Sequence, residues 1–466
     1  MDTKQLQSVW AKKYQIVPKQ LNKVKKISAI ATAFNTNIDA VVKISGKQLK
    51  KLLEKHKITI NALQDIKLNA FREPKDALIG VVKCFERGIA EEWTTADISV
   101  YEWLKQEIGY DRLQMGGQGG IIANAMALLG IKKVITHTNS HPELQAKQFL
   151  DLDNLLAFDT RGQLKKATEI KRNEPPMIHW IIEFDKGDSF SIGNKTFVCP
   201  KSNRFIATYD PLNMNLAVNR DFKTYLNSHK VSYLVLSGFH PLLKENNGLK
   251  LIKDIVPVID GWKKANPKMI VHLEIASTQD TAIRKAIIKD IAPISHSIGL
   301  NERETLDLLN VLGKKALAQK IENDMTACNL FDALLFLKKK LKTPRIQLHM
   351  FGLYMTLQDD TFPYLAADNL NGMMTASVVA SSKAAKGALA HTEDLTATLG
   401  QYVSEVGLKE LTALAKKLKA PELVETGLCQ VAGYHLSAVP TILVEKPKTL
   451  VGMGDTISSI SLVGGR

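Results

Sequence analysis

Short runs of β-branched and other apolar residues recur along the chain, and stretches with helical periodicity separate them. The runs read KISAIATAF, KKVITHTN, VSYLVLSGF, MIVHLEIAS, SHSIGL, RIQLHMF and TILVEKPKTLVG. Strands that alternate with helical segments form βαβ units, in which each connection lays a helix against the sheet. The pattern therefore predicts an α/β fold with a mostly parallel sheet that helices cover on both faces.

One region departs from this alternation. Between Met177 and Pro211 several strand-like runs follow one another closely, with turn residues at 186–188 and 193–194 and little room for a helix. This pattern predicts an antiparallel sheet inserted into the α/β domain. A small sheet attached to a larger domain can serve as a lid over an active site.

Length and composition are those of an ordinary globular protein. The 466 residues exceed the usual size of one domain, which predicts two domains or one large domain with insertions. No secretion signal and no apolar run of about 18 residues is found, so we expect a cytoplasmic protein outside the membrane. The four cysteines are widely spaced, so neither a disulfide framework nor a zinc site is expected.

The formal net charge of +15 has two interpretations. An excess of lysine and arginine attracts nucleic acid in some proteins and steers small anionic substrates into a cleft in others. The densest basic run, residues 337–342, is typical of the solvated end of a helix. Because the basic residues are spread along the chain without interleaved aromatic residues, nucleic-acid binding is not expected.

Two motifs that each contain a glutamate lie in or directly after predicted parallel strands. His272 and Glu274 share one face of the strand IVHLE by alternation, and they form either a buried hydrogen-bonded pair or part of a ligand site. Asn301 and Glu304 fit the start of a helix as a capping box. The alternative is that Glu304 joins Glu274 in holding a hard cation such as Mg²⁺, which prefers oxygen ligands.

Two polar segments near the N-terminus have the chemistry of a sugar site. Asn35 and Asp39 in FNTNID either turn the chain or offer hydrogen bonds to sugar hydroxyls. The run from Gly116 through Gly117 to Gln118 precedes an apolar helix, and it either packs that helix tightly or cradles a ligand. It has neither the Gly-Lys-Ser/Thr ending of a P-loop nor the spacing of the dinucleotide fingerprint.

The segment KTLVGMGDTISS near the C-terminus predicts a strand, a glycine turn and a helix that starts at Asp455. Free amides at a helix start, together with the helix dipole, bind anions. Taken alone, Asp455 is better explained as a helix cap than as a catalytic base, so the neighbouring motifs must decide between the two.

Taken in order, these motifs resemble the archaeal ADP-dependent sugar kinases, the phosphofructokinase and glucokinase group of the ribokinase-like superfamily. The stretches that carry the resemblance are AFNTNIDAVVK, MGGQGGIIANAMALLGIKKV, NRFI, HLEIAS, GLNERE, QLHMFGLYM and VGMGDTISS. The resemblance implies a three-layer α/β/α large domain and a small, mainly β lid domain formed by insertions. The lid segments are predicted as residues 38–52, 96–115 and 171–215, with the remainder of 1–466 in the large domain.

The resemblance also implies roles at matching positions. Asp455 corresponds to the catalytic base, Arg204 to a lid arginine that reaches a phosphate, and the amides of Gly452, Met453 and Gly454 to an anion hole. The magnesium side comprises His272, Glu274, Asn301 and Glu304. The sugar side comprises Asn35, Asp39, Glu92, Gly116, Gly117 and Gln118. The adenine side comprises His349 and Tyr354. The expected ligands are ADP, AMP, Mg²⁺ and a sugar or sugar phosphate, and the preference for ADP rests on the resemblance alone.

The choice between glucose and fructose 6-phosphate stays open at the level of sequence. Glu92 of the pair Glu91-Glu92 matches a glutamate of the glucose-using members, and a carboxylate accepts hydrogen bonds from sugar hydroxyls. Met177 and Asp210 stand where the strict phosphofructokinases have Lys and Arg. Other candidates for holding a 6-phosphate are Lys171, Arg172, His179 and Lys201. The hypothesis is a bifunctional enzyme that phosphorylates both sugars.

Two rival functions remain. An ATP-dependent ribokinase-like sugar or nucleoside kinase would share the Gly-x-Gly-Asp chemistry. A basic nucleic-acid-binding protein on a degenerate kinase fold has only the net charge in its favour. The sequence does not predict an oligomeric state.

Overall fold

The computed structural model describes residues 2–63, 70–278 and 280–466. Their strands are β1 Ile30–Ala33, β2 Asn37–Lys43, β3 Glu91–Thr95, β4 Arg112–Gly116, β5 Val134–Thr136, β6 Leu155–Phe158, β7 Leu164–Lys166, β8 Ile178–Phe184, β9 Ser189–Ile192, β10 Lys195–Val198, β11 Asn203–Tyr209, β12 Tyr233–Leu236, β13 Ile270–Glu274, β14 Ser297–Asn301, β15 Arg345–Met350, β16 Leu353–Gln358, β17 Leu428–Val431 and β18 Tyr434–Pro440. Their helices are α1 Thr3–Tyr14, α2 Val17–Val24, α3 Gly46–Lys55, α4 Asp76–Arg87, α5 Ile98–Trp103, α6 Gln118–Leu128, α7 Glu143–Ala146, α8 Pro211–Met214, α9 Arg220–Ser228, α10 Gly248–Ala265, α11 Thr281–Ala286, α12 Glu302–Val311, α13 Lys315–Asn323, α14 Ala327–Leu341, α15 Ala366–Lys386, α16 Glu405–Leu418, α17 Glu422–Thr426 and α18 Met453–Val463.

The larger sheet contains eleven of the described strands in the order β17-β18-β16-β15-β14-β13-β12-β1-β5-β6-β7. From β15 to β6 neighbouring strands are parallel, and the strands beyond these two run antiparallel at both edges. Central strands such as β1 and β13 are buried along their whole length, as parallel strands between two helical layers are. The predicted α/β fold with a mostly parallel sheet is confirmed.

Helices pack against this sheet in two groups. Helix α18 contacts both α6 and α15, while α12, α14 and α16 form a second connected set. Strand β15 contacts both α14 and α18, so the two groups cover opposite faces and give three layers. In the described ranges no helix is both long and apolar enough to cross a membrane.

The smaller sheet has the strand order β3-β11-β8-β2-β4, and the hairpin β9-β10 lies beside it. The apolar side chains of this unit form a core separate from that of the large sheet. The unit includes α4 and β3, which lie between the predicted lid segments, so the predicted boundaries are too narrow. Helix α4 buries Val81 and Val82 against this core, and helical periodicity alone does not tell which of two sheets a helix covers.

The prediction of a strand in TILVEKPKTLVG is wrong. Strand β18 ends at Pro440, and residues 441–450 leave the sheet without forming a strand. The amide of Ile442 donates to Ser377 Oγ at 2.9 Å instead of to a neighbouring strand. This segment leads directly to the turn at Gly452.

The architecture brings the candidate residues to one place. Asn35 follows β1, Glu274 ends β13, Asn301 ends β14 and His349 lies near the end of β15. Carboxyl ends of parallel strands meet at the same edge of a sheet, which is where open α/β sheets bind ligands. Chain segments that follow β1 and precede α6 continue directly into the small sheet, which therefore borders this edge.

Candidate active site

Gly452 forms the turn before helix α18. Its φ of 60° lies in the left-handed region, and a Cβ there would be 2.7 Å from Ile121 Cδ1. The helix begins at Met453, so its first amides, including those of Gly454 and Asp455, have no partner within the helix. These amides and the helix dipole form a site for an anion. The prediction that the helix starts at Asp455 is wrong, because Asp455 is its third residue.

Asp455 is joined to the glycine turn that precedes α6. Gln118 Nε2 donates a hydrogen bond of 2.9 Å to Asp455 Oδ1, and Gln118 Oε1 accepts one of 3.2 Å from the Gly238 amide. Burial raises the pKa of Asp455, while Gln118 and the Lys383 ammonium oppose that rise. The result is a carboxylate with fixed orientation and increased basicity, as a general base requires.

The polar side chains that lead into β2 lie against the glycine turn. Asn35, Asn37 and Asp39 are buried, and Asn37 Nδ2 donates to Asp39 Oδ1 at 3.2 Å. A Cβ at Gly116 would lie 2.1 Å from Asp39 Oδ1, and one at Gly117 would lie 2.5 Å from Asn37 Oδ1. Glycine is therefore required at both positions. Asn37 Oδ1 is buried without a hydrogen-bond partner in the described part of the chain, as expected of a group that receives a ligand hydroxyl.

One face of the small sheet carries a cluster of carboxylates around His179. His179 is next to Asp39 on β2 and Thr208 on β11, and its Nε2 donates to Asp210 Oδ2 at 3.0 Å. Thr208 Oγ1 donates to Glu92 Oε1 at 2.7 Å, and His179 Nδ1 lies 4.0 Å from the same oxygen. Burial alone would lower the pKa of His179, but Asp210, Glu92 and Asp39 together raise it to about 9. Burial raises the pKa of Asp39 to about 6, against the charge of His179.

This cluster predicts a pH dependence of stability. A histidine whose pKa rises from 6.5 to about 9 on folding stabilises the fold fully below pH 6.5 and loses that contribution as the pH rises through about 9. The contribution amounts to about 3 kcal/mol at most. We expect His179→Gln to remove this part of the pH dependence in urea unfolding, whereas exposed His229→Gln leaves it in place. An identical pH dependence in wild type and His179→Gln would contradict the assignment.

Glu274 and Glu304 provide two buried carboxylates near Asp455. Burial raises the pKa of Glu274 well above its ordinary range, and the charges of Asp455 and Glu304 add to that rise. Burial also raises the pKa of Glu304, to about 8. No described group of three or more His, Cys, Asp or Glu side chains is arranged to hold a metal. Mg²⁺ needs only one or two carboxylates together with water and phosphate oxygens, so this pair fits it.

His272 and Asn301 have structural partners beside these carboxylates. Asn301 Oδ1 accepts from the Glu304 amide at 2.9 Å, and Glu304 Oε2 accepts from the Asn301 amide at 2.8 Å, which is the capping box considered from the sequence. His272 Nε2 lies 3.2 Å from Glu274 Oε2 and 2.9 Å from Ser458 Oγ. Both residues thus orient a carboxylate, and the second oxygen of Glu304 is not used by the cap.

His349 and Tyr354 lie opposite each other on β15 and β16. A Cβ at Gly454 would be 2.9 Å from His349 Nε2, so the imidazole borders the first turn of α18. Burial lowers the pKa of His349 to about 4, and in the described ranges its buried Nδ1 has no partner. Tyr354 is buried, and burial raises the pKa of its hydroxyl.

Arg204 is exposed on β11, where it pairs in register with Glu183. By strand alternation it shares a sheet face with Ile206 and Thr208, but its guanidinium forms no hydrogen bond or ion pair with any residue the structure describes. The structure does not bring it to the turn at Gly452.

Of the four candidates for holding a 6-phosphate, only His179 belongs to the carboxylate cluster, and Lys201 is exposed. Met177 is buried in the core of the small sheet. Arg172 forms an ion pair with Glu174 and donates a hydrogen bond to the Thr138 carbonyl oxygen. Exposed Lys171 forms an ion pair with Glu143. Asp210 is fully buried and caps helix α8, so its carboxylate has a structural role in addition to contacting His179.

Several site residues escaped the sequence analysis. Asn37 lies between Asn35 and Asp39 in NTNID, and the i, i+2, i+4 spacing on a strand is a signal that would have identified it. Lys383, within the long helix α15, has no motif around it, so only the fold shows that it reaches the turn at Gly452.

Known proteins match this chain over nearly its full length. Residues 28–464 match the ADP-specific phosphofructokinase/glucokinase conserved region. The ADP-specific phosphofructokinase of Methanosarcina acetivorans is 29% identical over 458 residues, which cover 94% of this chain and 93% of that protein. The ADP-dependent glucose/glucosamine kinase of Pyrococcus furiosus is 29% identical over 465 residues, 98% of each chain. A solved ADP-dependent kinase in complex with fructose 6-phosphate and ADPβS has a TM-score of 0.82 and 30% identity, over 100% of this chain and 98% of that one.

Proposed function

Because the chain belongs to the ADP-specific phosphofructokinase/glucokinase family, we propose that it transfers the β-phosphoryl group of ADP to a hexose and releases AMP. The hydrogen bond between Gln118 and Asp455 carries the proposal, since it joins the glycine turn near Asp39 to the phosphate-binding turn at Gly452. A carboxylate beside free helix amides is the arrangement that phosphoryl transfer to an alcohol requires.

Asp455 acts as general base in this proposal. Its carboxylate accepts the proton of the acceptor hydroxyl while the hydroxyl oxygen forms a bond to the β-phosphorus. The bond from that phosphorus to the bridging oxygen breaks, and AMP leaves with the electron pair. The amides of Met453 and Gly454 donate to the oxygens of the migrating group, where negative charge is concentrated.

Glu274 and Glu304 would hold a magnesium ion, and His272 and Asn301 keep the two carboxylates in place. The bound ion would offset the negative charge of the nucleotide phosphates. The raised pKa values of both carboxyls support this role, because buried carboxylates without a cation are electrostatically costly.

The small sheet is proposed to act as a lid that covers the sugar. Its closure would exclude water, whose attack on ADP would compete with transfer. Arg204 is proposed to reach a phosphate group only in that closed arrangement, which is consistent with its exposed guanidinium. His349 and Tyr354 are proposed to line the adenine side, since His349 borders the turn at Gly454.

Glucose is proposed as the preferred acceptor. Asp39, Glu92 and Asp210 surround a single cationic His179, so the cluster accepts hydrogen bonds from hydroxyls and repels a second phosphate. Fructose 6-phosphate is the second candidate acceptor, and it is supported by the relative whose structure contains that sugar. We therefore keep the hypothesis of a bifunctional enzyme and propose that it prefers glucose to fructose 6-phosphate.

Sugar-dependent production of AMP from ADP and Mg²⁺ tests the proposal directly. Parallel assays with ATP as donor separate it from an ATP-dependent kinase of the same fold. Formation of ADP from ATP at a higher kcat/KM than formation of AMP from ADP would overturn the donor assignment. Absence of turnover with any hexose would overturn the function.

Glu92→Ala is expected to weaken the use of glucose more than the use of fructose 6-phosphate. Loss of a charged hydrogen-bond acceptor costs about 1.5–3 kcal/mol, which corresponds to a decrease in kcat/KM for glucose of about 10- to 100-fold. The matched control is Glu102→Ala, which removes an exposed carboxylate from helix α5 of the same unit. Equal losses for both sugars would reject the role of Glu92 in sugar selection.

A further inference from the structure

Lys383 on helix α15 places its ammonium at the first turn of helix α18. Its Nζ donates to the Gly452 carbonyl oxygen at 3.3 Å and to Thr456 Oγ1 at 3.2 Å. The same carbonyl also accepts hydrogen bonds from the Thr456 amide at 3.1 Å and from Thr456 Oγ1 at 2.7 Å. Lys383 therefore ties the phosphate-binding turn to the longest helix that packs against α18.

This position is electrostatically unfavourable for a lysine in the absence of a ligand. The N-terminus of a helix carries partial positive charge, so a cation there is repelled. Lys383 is half-buried, and among the residues that the structure describes it forms no ion pair with a carboxylate. Burial lowers the pKa of its ammonium to about 8, although Asp455 and Asp39 oppose the shift. The stability of the fold alone does not account for a charge at this point.

We propose that Lys383 is a positioning residue for Asp455 and the phosphate-binding turn, where its ammonium fixes the turn at Gly452 and keeps the Asp455 carboxylate ionised. The inference rests on the function proposed above. The ammonium keeps the base ionised before transfer, and during transfer it stabilises the negative charge of the phosphoryl group at the turn. Loss of the charge should therefore affect turnover more than substrate affinity.

Other charged groups act on the same carboxylate. Glu274 on β13 and Glu304 on α12 lie close enough to Asp455 for its charge to raise their pKa values. Asp39 on β2 acts on Lys383 from the small sheet. These groups are all acidic, and Lys383 is the cation whose charge lowers the pKa of Asp455 against the effect of burial.

The first test compares Lys383→Met with Lys383→Arg. We expect Lys383→Met to lower kcat at least about tenfold with little change in KM, and to move the acidic limb of the kcat/KM profile to higher pH. Lys383→Arg keeps the positive charge and should retain most of the wild-type kcat. Wild-type activity should also decline as the pH rises through about 8, where Lys383 loses its proton, and this decline should be absent in Lys383→Arg.

The second test is chemical rescue of Lys383→Ala. The stem of Lys383 lines a cavity of about 300 Å³ whose apolar wall includes Met115, Ile121, Phe149 and Val451, which gives a small amine room to enter. Ethylamine or propylamine should restore activity of Lys383→Ala severalfold, whereas ethanol and propanol of matching size should not. Rescue by amines and not by alcohols would show that the charge is what matters.

The control is Lys386→Met on the same helix, which removes a lysine that pairs with Asp394 away from the turn. It should leave kcat and the pH profile unchanged. An unshifted acidic limb in Lys383→Met, or equal effects of amines and alcohols on Lys383→Ala, would overturn the proposal. Failure of the wild type to make AMP from ADP and a hexose would instead reject the proposed function.

Discussion

Replacing Asp455 by asparagine should lower kcat for sugar-dependent AMP production by about 10²- to 10⁴-fold, the usual contribution of a general base. Asparagine has nearly the same shape and keeps an oxygen that can accept the 2.9 Å hydrogen bond from Gln118. The local structure should therefore persist while the proton acceptor is lost. KM values for ADP and the sugar should change much less than kcat.

The pH dependence of the wild type provides a second measure of the same group. Burial raises the pKa of Asp455, so the base is protonated at a higher pH than an exposed aspartate and the acidic limb of kcat/KM lies correspondingly higher. If Asp455→Asn keeps the thermal stability and the ADP affinity of the wild type and also turns over at the wild-type rate, Asp455 is not the general base.

Sequence alone predicted the class of fold and the positions of the parallel strands of the large sheet except β6. The strands around His272 and Asn301 were predicted because buried parallel strands are short apolar runs, and helices separate them. The sequence did not predict that helix α4 belongs to the small-sheet unit, because its apolar face would fit either sheet. The strand predicted in residues 441–452 failed because an apolar run that includes Pro447 does not show whether its amides have a neighbouring strand.

For the candidate site, too, the sequence identified single residues but not the contacts between distant parts of the chain. Motifs identified Asp455, Gln118 and Glu274, each within a few residues of a glycine turn or a strand end. They did not reveal that Gln118 donates to Asp455, a contact across 337 positions. Lys383 was missed for the same reason, because only the packing of α15 on α18 brings it to Gly452.

Replacing Glu274 by glutamine should weaken magnesium-dependent turnover strongly, with kcat/KM lower by about 10²-fold or more at saturating Mg²⁺. Glutamine keeps the size of the side chain and can still form hydrogen bonds with His272 and Ser458, so the effect isolates the charge. Titration of activity with Mg²⁺ should give a higher half-saturating concentration. The matched control is Glu302→Gln, which removes an acidic side chain of helix α12 whose carboxylate accepts a hydrogen bond from the Phe351 amide.

Stability should change in the opposite direction to activity. The pKa of Glu274 is raised in the folded protein, so ionisation of its carboxyl opposes folding increasingly as the pH rises. Metal-free Glu274→Gln has no carboxyl to ionise at this position and should melt at a higher temperature than the metal-free wild type. The difference in melting temperature should be larger at about pH 9 than at about pH 6. Added Mg²⁺ should stabilise the wild type and narrow the difference, because the cation then offsets the buried charge. A variant that is both inactive and less stable at every pH would show that Glu274 serves the fold and not a metal site.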